Sequence, residues 1–76
     1  MMIINVKIIK PDGTLSKHDF SYRWMFDNDI KIGEIVIVPV QNFDHIGIEK
    51  AQVTGVNIQS NPNIRYKIVM RKDKIK

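Results

Sequence analysis

The sequence predicts a small all-β domain, either a five-stranded barrel or a strongly curved sheet. Two patterns support this prediction: short segments alternate between apolar and polar residues, and clusters of turn residues separate them. β-Branched residues dominate these segments, and no apolar stripe with helical spacing persists over three turns. A chain of 76 residues has room for one domain, residues 1–76. SH3-like and oligonucleotide-binding-type (OB-like) barrels both satisfy the pattern, which leaves the strand order open.

The first two apolar segments, residues 2–9 and 17–24, should pair as an antiparallel hairpin. Between them, residues 11–14 form a tight turn, because proline presets φ and glycine tolerates a positive φ. On the first strand the expected inward side chains are Met2, Ile4, Val6 and Ile8. On the second strand they are His18, Phe20, Tyr22 and Trp24.

The third segment, residues 35–40, is apolar on both faces, which predicts a strand covered on both sides. Pro39 cannot donate a backbone hydrogen bond, so we expect incomplete pairing near that end. Residues 41–49 then form a predicted loop, whose length suits a hairpin tip.

In the fourth segment, residues 50–58, the alternation of apolar residues shifts by one position halfway along. The odd-numbered residues Ala51 and Val53 are expected to face inward, followed by the even-numbered Val56 and Ile58. Gly55 lies at the change, which predicts a bulge or bend there that helps the sheet curl.

The fifth segment, residues 64–70, has two sets of alternating side chains. The expected inward set is Ile64, Tyr66, Ile68 and Met70. The basic residues Arg65, Lys67 and Arg71 should then face outward together.

Charge is distributed unevenly along the chain. Residues 1–64 contain six basic and seven acidic side chains, whereas residues 65–76 contain six basic side chains and one acidic, within a total of +4. A basic end on a nearly neutral body indicates an anionic partner, either nucleic acid or an acidic protein surface. The structural alternative is a solubilising, frayed end of the chain.

The candidate nucleic-acid contacts lie in this basic end. Alternate residues of a strand are about 6.6 Å apart, close to the phosphate spacing of a single strand, so Arg65, Lys67 and Arg71 could follow a backbone. Lys72 and Lys74 extend the basic set, and the loop residue Phe43 could stack on a base. Trp24 is a second stacking candidate, although a thin core favours placing it inside.

The chain has few groups that could converge in catalysis, and we predict that it is not an enzyme. It contains two histidines and no cysteine, and no serine occupies a nucleophile motif. No metal-ligand spacing or phosphate-binding glycine loop is present, so we expect no metal and no cofactor. The absence of cysteine, of a 20-residue apolar run and of a signal-peptide pattern favours a cytoplasmic protein without membrane association.

Three motifs follow one another in residues 17–58: F-S-Y at residues 20–22, I-G-E-I-V-I-V-P at residues 32–39 and A-Q-V-T-G-V at residues 51–56. With these motifs, the segment resembles the N-terminal DNA-binding domain of the primosomal replication-restart helicase. The resemblance implies a small barrel that receives the 3′ end of a nascent DNA strand at a fork. After Pro39 the family has a basic F-G turn, whereas this chain has V-Q-N-F at residues 40–43.

Two functional interpretations follow. In the first, the chain binds single-stranded or fork DNA through its basic fifth strand. In the second, it is a protein-interaction module or an inhibitor of a larger protein machine, encoded by a host or by a mobile element, that offers an edge strand near Pro39.

Overall fold

The computed structural model describes residues 2–26, 29–41 and 46–73, which form one six-stranded mixed sheet. The strands are β1 Met2–Ile8, β2 Phe20–Trp24, β3 Ile35–Gln41, β4 Ile46–Ile58, β5 Lys67–Ile68 and β6 Arg71–Lys72. Their order is β5-β2-β1-β4-β3-β6, and the sheet curls through 246° into a half-barrel. The predicted all-β, strongly curved sheet is confirmed. The described residues contain no helix, and therefore none that could cross a membrane.

The predicted hairpin is present, with β1 and β2 antiparallel from Met2 opposite Trp24 to Val6 opposite Phe20. Tyr22 and Trp24 are buried, as predicted. The inward positions of Phe20 and His18 are wrong, because Phe20 is 45% exposed at the start of β2 and His18 is exposed before the strand begins. The turn at residues 11–14 is also confirmed, with Gly13 at φ 88° and its N–H donating to the Lys10 carbonyl.

Strand β3 is buried on both faces, as predicted. Val36 and Val38 belong to the core inside the curl, and Ile37 is 5% exposed on the opposite face. The ladder with β4 continues past Pro39 to Gln41, so the incomplete pairing occurs only on the other side of β3, where the ladder with β6 stops at Ile37. The predicted loop at residues 41–49 is too long, because β4 already begins at Ile46.

Strand β4 bulges where the parity change predicted it. Asn5 lies opposite Gly55 and Val6 opposite Val53, so β4 has an extra residue between these two pairs. A second register shift lies between the Asn5–Gly55 and Ile3–Ile58 pairs. The residue of β4 with a positive φ, Asn57 at 54°, is at this second bulge, and Gly55 has no positive φ. Asparagine tolerates this left-handed conformation better than most residues, which lets the bulged strand bend without a glycine.

The chain closes the half-barrel with residues 67–72, which we call the closing segment. Its first half, β5, pairs in parallel with β2, and its second half, β6, pairs antiparallel with β3. Between the two, the Val69 N–H donates to the Arg23 carbonyl at 3.0 Å and the Met70 N–H to the Ile37 carbonyl at 2.9 Å. One extended segment therefore spans the opening between the two edges of the curled sheet.

The predicted single strand at residues 64–70, and its inward set, are therefore wrong. Val69 is 1% exposed and belongs to the core, whereas Ile64, Ile68 and Met70 are about half exposed. Alternation points to the wrong residues here, because Val69 shares its parity with the basic residues Arg65 and Lys67. The position at which the closing segment passes from β2 to β3 determines the buried residue, because the side chain at that position faces the interior.

We expect Val69→Ala to lower the free energy of unfolding by about 2 kcal/mol, because it leaves a cavity where the sheet closes. Chemical denaturation measures this change. The matched control is Met70→Ala, which removes a half-exposed neighbour and should cost about 0.5 kcal/mol or less. Equal effects of the two substitutions would contradict the burial of Val69.

Asn57→Val should destabilise the protein by about 1–2 kcal/mol, because a β-branched residue is strained at a positive φ. Asn57→Gly removes the same side chain without this strain and should melt within a few degrees of the wild type. Thermal denaturation of the two variants compares them. If Asn57→Val also melts with the wild type, the left-handed backbone at this bulge is not a constraint.

Candidate nucleic-acid interface

Three of the predicted contact residues are exposed cations on or next to the closing segment. Lys67 and Arg71 belong to its two halves, and Arg65 precedes it. Among the described residues, no carboxylate forms an ion pair with any of the three. They do not share one face of a regular strand, because Lys67 pairs beside β2 and Arg71 beside β3. The charges therefore follow the closing segment from one edge of the sheet to the other.

Lys72 has a different environment from these three cations. Its Nζ lies 3.1 Å from Glu34 Oε1 and 6.0 Å from the centre of the Trp24 ring, and its side chain is 21% exposed. A partly buried ammonium held between a carboxylate and an indole ring stabilises the end of the closing segment. Lys72 is therefore less available to a phosphate than the sequence suggested.

Glu34 is positioned by the turn that precedes β3. Gly33 adopts φ 97°, and the Glu34 carboxylate accepts the Lys31 backbone N–H at 2.6 Å. This hydrogen bond, together with Lys72, holds the pKa of the Glu34 carboxyl below its usual value. The turn and the closing segment are thus linked through one ionised carboxylate.

The aromatic candidates differ from the prediction. Trp24 is 2% exposed, which confirms its place in the core and removes it as a stacking residue. Phe43 and Lys74 lie outside the described residues. Phe20, which the sequence placed inside, is 45% exposed two residues before Tyr22, the partner of Lys67. Because β2 and β5 are parallel, Phe20 and Arg65 lie at the same end of the paired segments.

A groove of about 460 Å³ adjoins the closing segment on the outer face of β3 and β4. It brings Lys10 and Lys50 together with Arg71, although no sequence motif points to either lysine. Lys50 and Arg71 flank Ile37 on its two neighbouring strands. This cluster could be predicted only from the β3–β4 register, which places Lys50 beside Ile37. The alternation of apolar and polar residues does not specify that register. Lys50 also pairs with Asp73, at 3.3 Å.

Metal-binding side chains do not converge in the part of the chain that the structure describes. No three histidine, cysteine or acidic residues form a group there. The chemistry of this surface is therefore that of exposed guanidinium and ammonium groups beside apolar side chains.

Glu34 should make stability depend on pH in the acid range. A carboxyl whose pKa is lower in the folded protein contributes stability above its unfolded pKa, about 4.3, and that contribution is lost as the pH falls through the folded pKa. An NMR titration of wild type and Lys72→Gln measures the Glu34 pKa. We expect a depressed value in the wild type and a smaller depression in Lys72→Gln, since the Lys31 N–H bond remains. A wild-type pKa at or above the ordinary value would contradict this account.

Comparison with known proteins adds no relative. No family model matches the chain, and no curated protein and no solved structure matches it either. The resemblance of residues 17–58 to the replication-restart helicase domain stays a prediction, and the candidate interface is supported by its own geometry.

Proposed function

We propose that this chain is a non-enzymatic module that binds nucleic acid through Arg65, Lys67 and Arg71. The observation that supports the proposal most directly is the contrast among the basic residues of the region. Lys72 and Lys50 have carboxylate partners, whereas these three are exposed and form no ion pair within the described residues. Exposed cations without a carboxylate partner can exchange their counterions for phosphates.

The closing segment fixes the backbone positions of two of these cations. Backbone hydrogen bonds to β2 and β3 hold the segment on both sides, so Lys67 and Arg71 have positions set by the sheet. Preorganised cations lose less conformational entropy when a polyanion binds. Three phosphate contacts to a single strand would make the logarithm of affinity fall with a slope of about −2 against the logarithm of salt concentration.

Phe20 favours a single strand over a duplex. Its ring is partly exposed at the start of β2, the same end of the β2–β5 pairing at which Arg65 lies. Aromatic rings beside cations bind unpaired bases by stacking, at about 1–3 kcal/mol per base. A duplex keeps its bases stacked on one another and has no free face for this ring.

The alternative of a protein module that pairs with an exposed strand edge has less support. The closing segment already pairs with β2 at Tyr22 and Arg23 and with β3 at Val36 and Ile37, which leaves less of either strand edge open. Near Pro39, the backbone lacks an N–H and its carbonyl accepts the Tyr22 hydroxyl at 2.8 Å. These groups cannot pair with an added strand, so β-augmentation at this position is disfavoured.

Fluorescence anisotropy with a labelled 20-nucleotide single strand and its duplex tests the proposal. The variant Arg65→Ala/Lys67→Ala should weaken single-strand binding about tenfold or more and reduce the salt slope by about 1.4. The matched control, Lys17→Ala/Lys31→Ala, removes the same charge from other exposed lysines and should change affinity less than twofold. If both double variants lost the same affinity, binding would depend on the net charge of the protein and not on Arg65 and Lys67. Absence of binding at low salt would refute the proposal.

A further inference from the structure

The groove on the outer face of β3 and β4 combines an aliphatic floor with a basic rim. Its apolar lining consists of Ile9, Pro11, Ile37 and Ile48, and its cations are Lys10, Lys50 and Arg71. Ile37 is 5% exposed at the base, whereas Ile48 is 59% exposed. A half-exposed isoleucine between cations is a surface that an apolar group could cover.

Backbone hydrogen bonds fix the parts of the groove relative to one another. The Ile9 N–H donates to the Lys50 carbonyl at 2.9 Å, which ties the end of β1 to β4. The Lys10 N–H donates to the Thr14 carbonyl at 2.8 Å within the turn at residues 11–14. Ile37 has Lys50 opposite on β4 and Arg71 opposite on β6. The groove is therefore largely preformed and not assembled from mobile side chains alone.

We propose that this groove binds an acidic peptide segment that inserts one or two aliphatic or aromatic side chains. Charge complementarity supports the acidic character, because Lys10 and Arg71 form no ion pair within the described residues, whereas Lys50 is already paired with Asp73. Among the described residues of the lining, the one carboxylate is Glu49. The aliphatic floor supports an apolar anchor, which would cover Ile48.

The lining favours a peptide over two other possible occupants, a nucleic acid and a second copy of this chain. Within the described part of the chain, the lining has no aromatic ring on which a base could stack. A second copy of this chain has a net charge of +4 and would meet the basic rim with like charge. The peptide site is distinct from the proposed nucleic-acid contacts at Arg65 and Lys67, and the two share only Arg71.

Selection from a random twelve-residue peptide library displayed on phage, followed by anisotropy with the synthesised peptides, tests the proposal. We expect the selected peptides to be enriched in aspartate or glutamate around one or two large apolar residues. Their affinity should fall about tenfold or more in Lys10→Glu and in Ile48→Asp, and circular dichroism checks the fold of each. Ile48→Thr, which retains a β-branched residue, replaces Ile48→Asp if that variant does not fold.

The controls are Lys17→Glu and Ile32→Asp, which make the same changes at exposed residues outside the groove. They should alter peptide affinity less than twofold. Peptides without an acidic excess, a selection without enrichment, or affinity insensitive to Lys10→Glu and Ile48→Asp would each overturn the proposal. The proposal would also be overturned if no peptide were selected and the two substitutions abolished binding of single-stranded nucleic acid, because the groove would then bind nucleic acid. Arg65→Ala/Lys67→Ala should leave peptide binding unchanged, so this proposal and the nucleic-acid proposal can fail separately.

Discussion

The fold depends on how a strongly curled sheet provides hydrogen-bond partners for the backbone groups at its two edges. Strands β2, β1, β4 and β3 leave unpaired backbone groups along β2 and β3, and an exposed edge is open to pairing with other chains. The closing segment supplies partners to both strands within a few residues, and its central side chain, Val69, completes the core. A single crossing thus protects the edges and covers the interior, which a domain of this size needs because its core is thin.

The same segment connects the fold with the proposed binding surface. Its far end is held by the Lys72–Glu34 ion pair, and its outer positions present Lys67 and Arg71 to solvent. The basic residues of this region therefore have different environments. Lys72 stabilises the closure of the sheet, whereas Lys67 and Arg71 are exposed to solvent, where we propose that they bind an anionic partner.

Local sequence patterns predicted those features of the fold that depend on residues close together in the chain. The alternation in β1 and β2, the turn around Gly13 and the bulge near Gly55 are all present, because each follows from side-chain period or turn chemistry. The division of the last strand and the groove around Lys10 and Lys50 depend on which distant strands meet. No local pattern contains that information: alternation groups Val69 with Arg65 and Lys67, and only the passage of the chain from β2 to β3 places Val69 in the core. Phe20 was misplaced for a related reason, since its strand begins at that residue and leaves its ring at the open end.

The order of the strands along the chain has a consequence for folding kinetics. The β1–β2 and β3–β4 pairings join segments that are near in sequence, whereas the closing segment pairs with β2 across most of the chain. Distant contacts form late, because the entropy of loop closure is lost before the contact is gained. Until residues 67–72 dock, β2 and β3 expose their backbone groups. The period between hairpin formation and docking is therefore when this protein is most prone to aggregate, and the rate of that last step sets how long the exposure lasts.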